Sequence, residues 1–115
     1  MKLAELEPRF LKITKADHWC CTDSVAGADG IIFLCPKCFV ANRGSIGTHS
    51  VICWRPHVPQ SQLPGPGRWE FKGTNAANVT LFAGSSSIYL KGPGCGAHFF
   101  VENGEVRNAE SGSKW

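Results

Sequence analysis

No apolar run in this chain approaches the roughly 18 residues that a membrane-spanning helix requires, so no membrane insertion is expected. The opening residues carry Glu5, Glu7 and Pro8, which interrupt the uncharged core of a secretory signal; the expected location is cytoplasmic. A helical period is also missing, since no stretch of about ten residues repeats its apolar positions at 3.6-residue spacing. The basic residues, among them Lys12, Lys15, Lys37, Arg43, Arg55, Arg68, Lys72, Lys91 and Arg107, form no stripe. They are interleaved with acids to a net charge of +3, and binding to nucleic acid is not indicated. No Gly-x-Ser-x-Gly occurs, so Ser85-Ser86-Ser87 lacks a nucleophile elbow and reads as the polar start of a strand. Internal repeats and low-complexity segments are absent as well.

What is present suits one small, turn-rich, mainly β domain over residues 1–115. The hydrophobic fraction is 43%, enough for a core, while 13 glycines and 7 prolines leave that core thin. Ile31-Ile32-Phe33-Leu34 is a continuous apolar run and predicts a buried strand, and Ser50-Val51-Ile52-Cys53-Trp54 predicts a second. Arg9 to Ile13 suggests a short edge strand, with Phe10 out of phase with Leu11 and Ile13. Asp17 to Gly30 and Asn42 to Gly47 read as loops. Arg55 to Gly67 holds Pro56, Pro59, Pro64 and Pro66 and predicts a long exposed loop. Arg68 to Lys72 alternates, placing Trp69 and Phe71 on one face. Val79 to Phe82, Ser87 to Leu90 and Ala97 to Val101 predict further strands. Asn103-Gly104 marks a hairpin, and Asn108 to Trp115 a frayed polar tail.

Against that background two short hooks stand out, Cys35-Pro36-Lys37-Cys38 and Cys95-Gly96-Ala97-His98. Each sets two soft ligands two residues apart on a segment that can bend around one centre. Together they supply the four donors of a closed tetrahedral zinc site. Pro36 stiffens the first turn, and Gly94 and Gly96 relieve crowding at the second. Six cysteines in a reducing compartment favour metal over disulfides. Small zinc ribbons separate their hooks by about 15–20 residues. Here a sheet must be inserted between the two metal knuckles, and a bound Zn2+ would clip the middle of the chain to its end. The competing reading makes Cys35, Cys38 and Cys95 small buried residues and His98 an ordinary strand histidine.

Other residues carry weaker signals. His49, just before the second apolar strand, is a candidate fifth ligand, replacement ligand or base, or simply a hydrogen-bonded histidine. Cys20 and Cys21 are adjacent, so an extended segment points them to opposite faces and they chelate one ion poorly. Cys53 lies in an apolar strand and reads as core. Trp69 and Phe71 read as core rather than as a base-stacking platform.

Five stretches resemble a family of small phage and prophage proteins of unknown function, some labelled putative ammonia monooxygenase. They are Leu6 to Leu11, Gly30 to Phe39, Gly47 to Trp54, Pro64 to Phe71, and Gly94 to Val101. The resemblance implies that Cys35, Cys38, Cys95 and His98 are the family's metal-type positions and that His49 is a further recurrent histidine. It also implies a bacterial host's cytoplasm as the location and a host or phage protein as the partner. Related domains are linked to ubiquitin-like conjugation systems, possible peptidases among them. Membrane-bound copper chemistry, the setting of ammonia oxidation, does not suit a chain without a membrane span. Phe39 and Val40 follow the first hook where many ribbons place glycine, a departure from the ordinary knuckle.

Two functions follow as expectations. A closed Cys₃His site has no open position for water, which suits a structural zinc module that works by protein–protein interaction. The loop Arg55 to Gly67, with Trp54 beside it, would then offer the partner surface. The alternative is a zinc-dependent hydrolase or peptidase in which His49 completes or activates the site, with Glu70 or Glu102 as the acid–base carboxylate.

Overall fold

The continuous apolar run Ile31 to Leu34 forms a strand that is covered on both of its faces. The structure, a computed structural model, describes residues 1–15, 18–63, 68–82, 87–89 and 96–109. Within them a 3₁₀ turn (Leu3–Leu6) is followed by β1 (Arg9–Lys15), β2 (His18–Thr22) and β3 (Gly30–Leu34). Then come α1 (Pro36–Asn42), β4 (Ser50–Trp54), β5 (Glu70–Lys72), β6 (Thr80–Phe82), β7 (Ser87–Tyr89), β8 (His98–Glu102) and β9 (Glu105–Asn108). The strands make three antiparallel sheets, ordered β2-β1-β3-β4, β5-β6 and β7-β8-β9. The mainly β expectation is met.

The first sheet explains the odd patterning of its strands. On one face Phe10, Ile31, Phe33, Val51 and Cys53 join a core that draws Phe71, Leu81, Ile88 and Phe99 from the other two sheets. On the other face Leu11, Trp54 and Val58 form a second cluster, with Ile13, Ile32 and Ile52 against it. Burial on both faces turns a strand's sequence from alternating to continuously apolar. It also accounts for Phe10, which looked out of phase: Phe10 and Leu11 are both buried, on opposite faces.

For the same reason β1 is not the edge strand expected. It lies between β2 and β3, and β2 folds out of a segment expected to be loop. Polar composition concealed β2 because it is the sheet's exposed edge: His18, Trp19, Cys20 and Cys21 all face solvent.

The proline-bearing stretch is a mostly exposed loop over its described residues, 55–63, and it is tied down. The Arg68 guanidinium donates to the carbonyls of Val58, Pro59 and Gln62 at 3.1, 2.7 and 3.0 Å. Trp54, expected at a partner surface, is fully buried; its indole Nε1 donates to the Leu63 carbonyl at 3.0 Å and Trp19 packs edge-on against it at 5.7 Å. A β-carbon at Gly30 would overlap the Trp54 ring, so only glycine allows that packing across the β3–β4 pair. Prolines 64 and 66 lie outside the described residues.

The Asn103-Gly104 hairpin forms as its sequence predicts. Both residues take positive φ (48° and 74°), the geometry of a type I′ turn between β8 and β9. Gly104 donates its N–H to Val79 and accepts from the N–H of Leu3, each at 2.8 Å, joining the turn to the amino-terminal segment. The expected tail begins inside β9, and residues 110–115 lie outside the described residues.

Asp29 closes the far end of the first sheet. Its carboxylate accepts from the Ile13 N–H and pairs with His57 Nε2, each at 2.8 Å, with Lys12 Nζ at 3.6 Å. Burial works to raise its pKa, but the Ile13 N–H, His57 and Lys12 together outweigh it and hold the carboxyl below its ordinary value. A depressed carboxyl stabilises the fold at pH above its unfolded value of about 4, and that contribution disappears as the pH falls through the folded value. Asp29→Asn is expected to cost about 1–3 kcal/mol at neutral pH. Urea titrations over a pH series should also show the wild type losing its advantage over the variant below about pH 4.

Candidate metal centre

The strand β3 runs directly into the first hook, and the change from strand to helix happens at Cys35. Cys35 is extended (φ −61°, ψ 123°) and caps α1, Pro36 opens the helix, and the Phe39 N–H bonds the Cys35 carbonyl at 2.9 Å. Proline suits that first position because its missing N–H has no helical partner to lose. Cys38 then falls at the third helical position, where a cap side chain and a first-turn side chain meet. Phe39 and Val40 continue the helix, which is why no glycine follows the hook.

The helix ends at Arg43 with φ 54°, and the chain returns through a braced turn. The Thr48 hydroxyl donates to the Gly44 carbonyl at 2.7 Å and accepts from Asn42 Nδ2 at 3.2 Å. The Thr48 N–H bonds Ser45 at 3.0 Å. That return delivers His49 opposite Cys35. The β3–β4 register pairs Leu34 with Ser50, and one step further the Cys35 N–H bonds the His49 carbonyl at 2.9 Å.

The outcome is a group of three donors. The thiol sulfurs of Cys35 and Cys38 and a ring nitrogen of His49 all lie within 4.8 Å of one another, close enough to hold a metal ion. Donors about 2.0–2.3 Å from a tetrahedral zinc ion stand about 3.3–3.8 Å apart, the separation these side chains would draw in to around one. Two thiols and an imidazole suit zinc without identifying it, since other soft or borderline metals accept the same set. The donors are graded in exposure: Cys35 is buried, Cys38 half-buried and His49 exposed. His49 Nδ1 lies 3.3 Å from the Ser50 carbonyl; a proton donated there leaves Nε2 with the lone pair a metal takes.

The expected ligands therefore fare differently. Cys35 and Cys38 are brought together. His49, weighed in the sequence as a fifth ligand, a replacement or a base, stands beside them. His98 begins β8, half-buried, and is not a member of this group. Cys95 lies outside the described residues. Of the second hook, Gly96 is described, and a β-carbon added there would stand 3.9 Å from the tip of the Lys37 side chain in the first. Strand register brings His49 in: two apolar strands paired as a hairpin set the residues just beyond their ends, Cys35 and His49, face to face.

The remaining candidates separate from the site. Glu70 is ion-paired with Arg55, which also donates to the carbonyls of Ala28 and Val25 and lies 4.4 Å over the Phe71 ring. Glu102 ends β8 at the hairpin. Cys20 and Cys21 sit opposite Lys12 and Leu11 on the exposed edge strand. Cys53 is core, and burial pushes its thiol far above the ordinary value. Residues 83–86, and with them Ser85 and Ser86, lie outside the described residues. No helix among the described residues is long and apolar enough to cross a membrane.

No protein-family model, curated protein or solved structure matches the chain.

Exposure sorts the thiols by reactivity. In native, metal-free protein, iodoacetamide should label Cys20 and Cys21 first. Cys53 should stay unmodified until the protein unfolds, as followed by peptide mass spectrometry.

Proposed function

We propose that the chain is a zinc-binding domain whose metal is structural, a small phage-type accessory protein acting through contact with a host or phage protein. Cys35, Cys38 and His49 hold the ion, and Cys95 of the second hook completes a Cys₃His set. The observation that carries this reading is the clustering of three soft donors at the junction of β3, α1 and β4. The spacing of the second hook supports Cys95 as the fourth ligand, with Gly96 beside it near the tip of the Lys37 side chain. With four protein ligands the ion has no position for water and serves as a cross-link between distant parts of the chain. The proposed phage origin and cytoplasmic location rest on the resemblance of the hook-bearing stretches, and the proposed partner on that resemblance and the closed ligand set.

The exposure of His49 favours one rival reading, a three-ligand zinc hydrolase with an open fourth position. Against it, Glu70 is engaged by Arg55 and Glu102 ends β8 at the hairpin, outside the group of three donors. Substitution with Co2+ separates the two readings. A closed site gives a tetrahedral visible spectrum that Cys95→Ser alters and that added azide leaves unchanged. If Cys95→Ser has no effect and azide shifts the bands, the closed-site reading fails and the hydrolase reading takes its place.

Ligand choice is tested by affinity. His49→Ala should weaken zinc binding at least about tenfold, and His98→Ala by no more than about twofold, in competition with a chromogenic chelator. The reverse order would return His98 to the ligand set. Removing the metal with a strong chelator should lower the thermal midpoint by roughly 10 °C or more in calorimetry.

A further inference from the structure

The first hook places two thiols where a single covalent bond can join them. Cys35 caps α1 and Cys38 is its third residue, and the Phe39 N–H bond to the Cys35 carbonyl closes that turn at 2.9 Å. Cα atoms three residues apart on a helical turn stand about 5 Å from each other, inside the roughly 4.4–6.8 Å that a disulfide spans. The two sulfurs already lie within 4.8 Å of each other, and rotation about χ1 covers the rest.

The sulfurs differ in access. Cys35 is 0% exposed, while Cys38 is half-buried. An oxidant from solvent therefore meets Cys38 first, with Cys35 behind it as the thiol that resolves the product. No other two cysteines among the described residues are so placed. Cys20 and Cys21 adjoin on β2 and point to opposite faces of that strand. Cys21 is level with Gly30, at the far end of β3 from Cys35, and β1 and β3 separate β2 from β4. Cys53 pairs with Ile31, four residues short of Cys35, which is about 13 Å along a strand.

We propose that Cys35 and Cys38 form a reversible disulfide under peroxide, and that this bond empties the metal centre. The second half rests on the zinc reading above; the first does not. The Cys38 sulfur attacks one peroxide oxygen and the O–O bond breaks, leaving a sulfenic acid on Cys38 and releasing one water that carries the thiol proton. The Cys35 sulfur then attacks the Cys38 sulfur. The S–S bond forms, the S–O bond breaks, and hydroxide leaves with the Cys35 proton as a second water. Two thiols are oxidised and one peroxide is reduced to two waters. Where the sulfurs hold an ion as thiolates, the two protons come from solvent instead. Disulfide sulfurs are no longer thiolate donors, and His49 with the proposed Cys95 is too small a set to keep the ion. The new bond closes a loop of only four residues, so it restrains the chain far less than the cross-link it removes.

Peroxide treatment of the zinc-loaded full chain, in the presence of a chromogenic zinc indicator, tests this. Metal-free reduced chain is treated in parallel, and both are quenched with iodoacetamide and mapped by peptide mass spectrometry. Each should yield a peptide covering residues 33–43 that is two hydrogens lighter and carries no alkyl group. The loaded sample should release one zinc per disulfide, and a dithiol reductant should restore binding. Cys20→Ser/Cys21→Ser, changed only on the exposed edge strand, should release zinc at a rate within about twofold of the wild type. Zinc that stays bound with no Cys35–Cys38 disulfide overturns the inference and leaves the zinc reading standing. So does a disulfide that takes Cys95 as partner, or release that disappears in the Cys20→Ser/Cys21→Ser variant. A reduced chain that binds no zinc overturns the zinc reading and the second half of the proposal, while the metal-free sample still decides the first.

Discussion

The antiparallel pairing of β3 with β4 is the constraint on which the first sheet and its site depend. One ladder joins Gly30 to Trp54 and Leu34 to Ser50, and the residues just beyond it at each end remain hydrogen-bonded. At one end the Cys35 N–H reaches the His49 carbonyl; at the other the Arg55 N–H reaches the Asp29 carbonyl at 2.8 Å. A single register thus sets the soft donors at one end and the Asp29, Arg55 and His57 network at the other. A slip of one residue would turn one strand's faces over relative to its partner and shift Cys35 away from His49 at the same time.

The two-sided sheet also explains how so turn-rich a chain builds a core. Burying both faces of β1, β3 and β4 obtains two apolar clusters from one set of strands, with residues of all three sheets meeting on one side. The polar groups drawn in by that packing are answered locally. Arg68 satisfies the carbonyls of the segment after β4, and Arg55 those of the segment before β3. No buried side-chain polar atom among the described residues lacks a hydrogen-bond partner. This accounting matters in a small domain, where one orphaned polar group costs about 1–3 kcal/mol of a modest total.

The candidate metal centre and the braced turn belong to one segment, Cys35 to His49. Its ends carry the three donors, and its middle carries α1 and the braced turn that lifts Ile46 into solvent. In the proposed closed site the ion fastens both ends of that segment to the sheet. The rigidity of the turn then follows from the same cross-link that stabilises the fold.

Much of this was legible in the residues. The runs Ile31 to Leu34 and Ser50 to Trp54 declare two buried strands, Asn103-Gly104 declares its hairpin, and Cys35-Pro36-Lys37-Cys38 declares a metal-type hook, because each signal is local. The edge strand β2 was hidden because an exposed strand has no apolar pattern to show. The interior place of Phe10 was misread because single-face alternation does not describe a sheet buried on both sides. Trp54 resembled a surface residue beside a proline loop until Gly30 and Leu63 enclosed it. The sequence by itself determined the buried strands β3 and β4, the hook and the supply of soft ligands, which depend on residue type and short spacing. Only the tertiary structure decided that His49 stands with Cys35 and Cys38, because that meeting depends on the register between two strands.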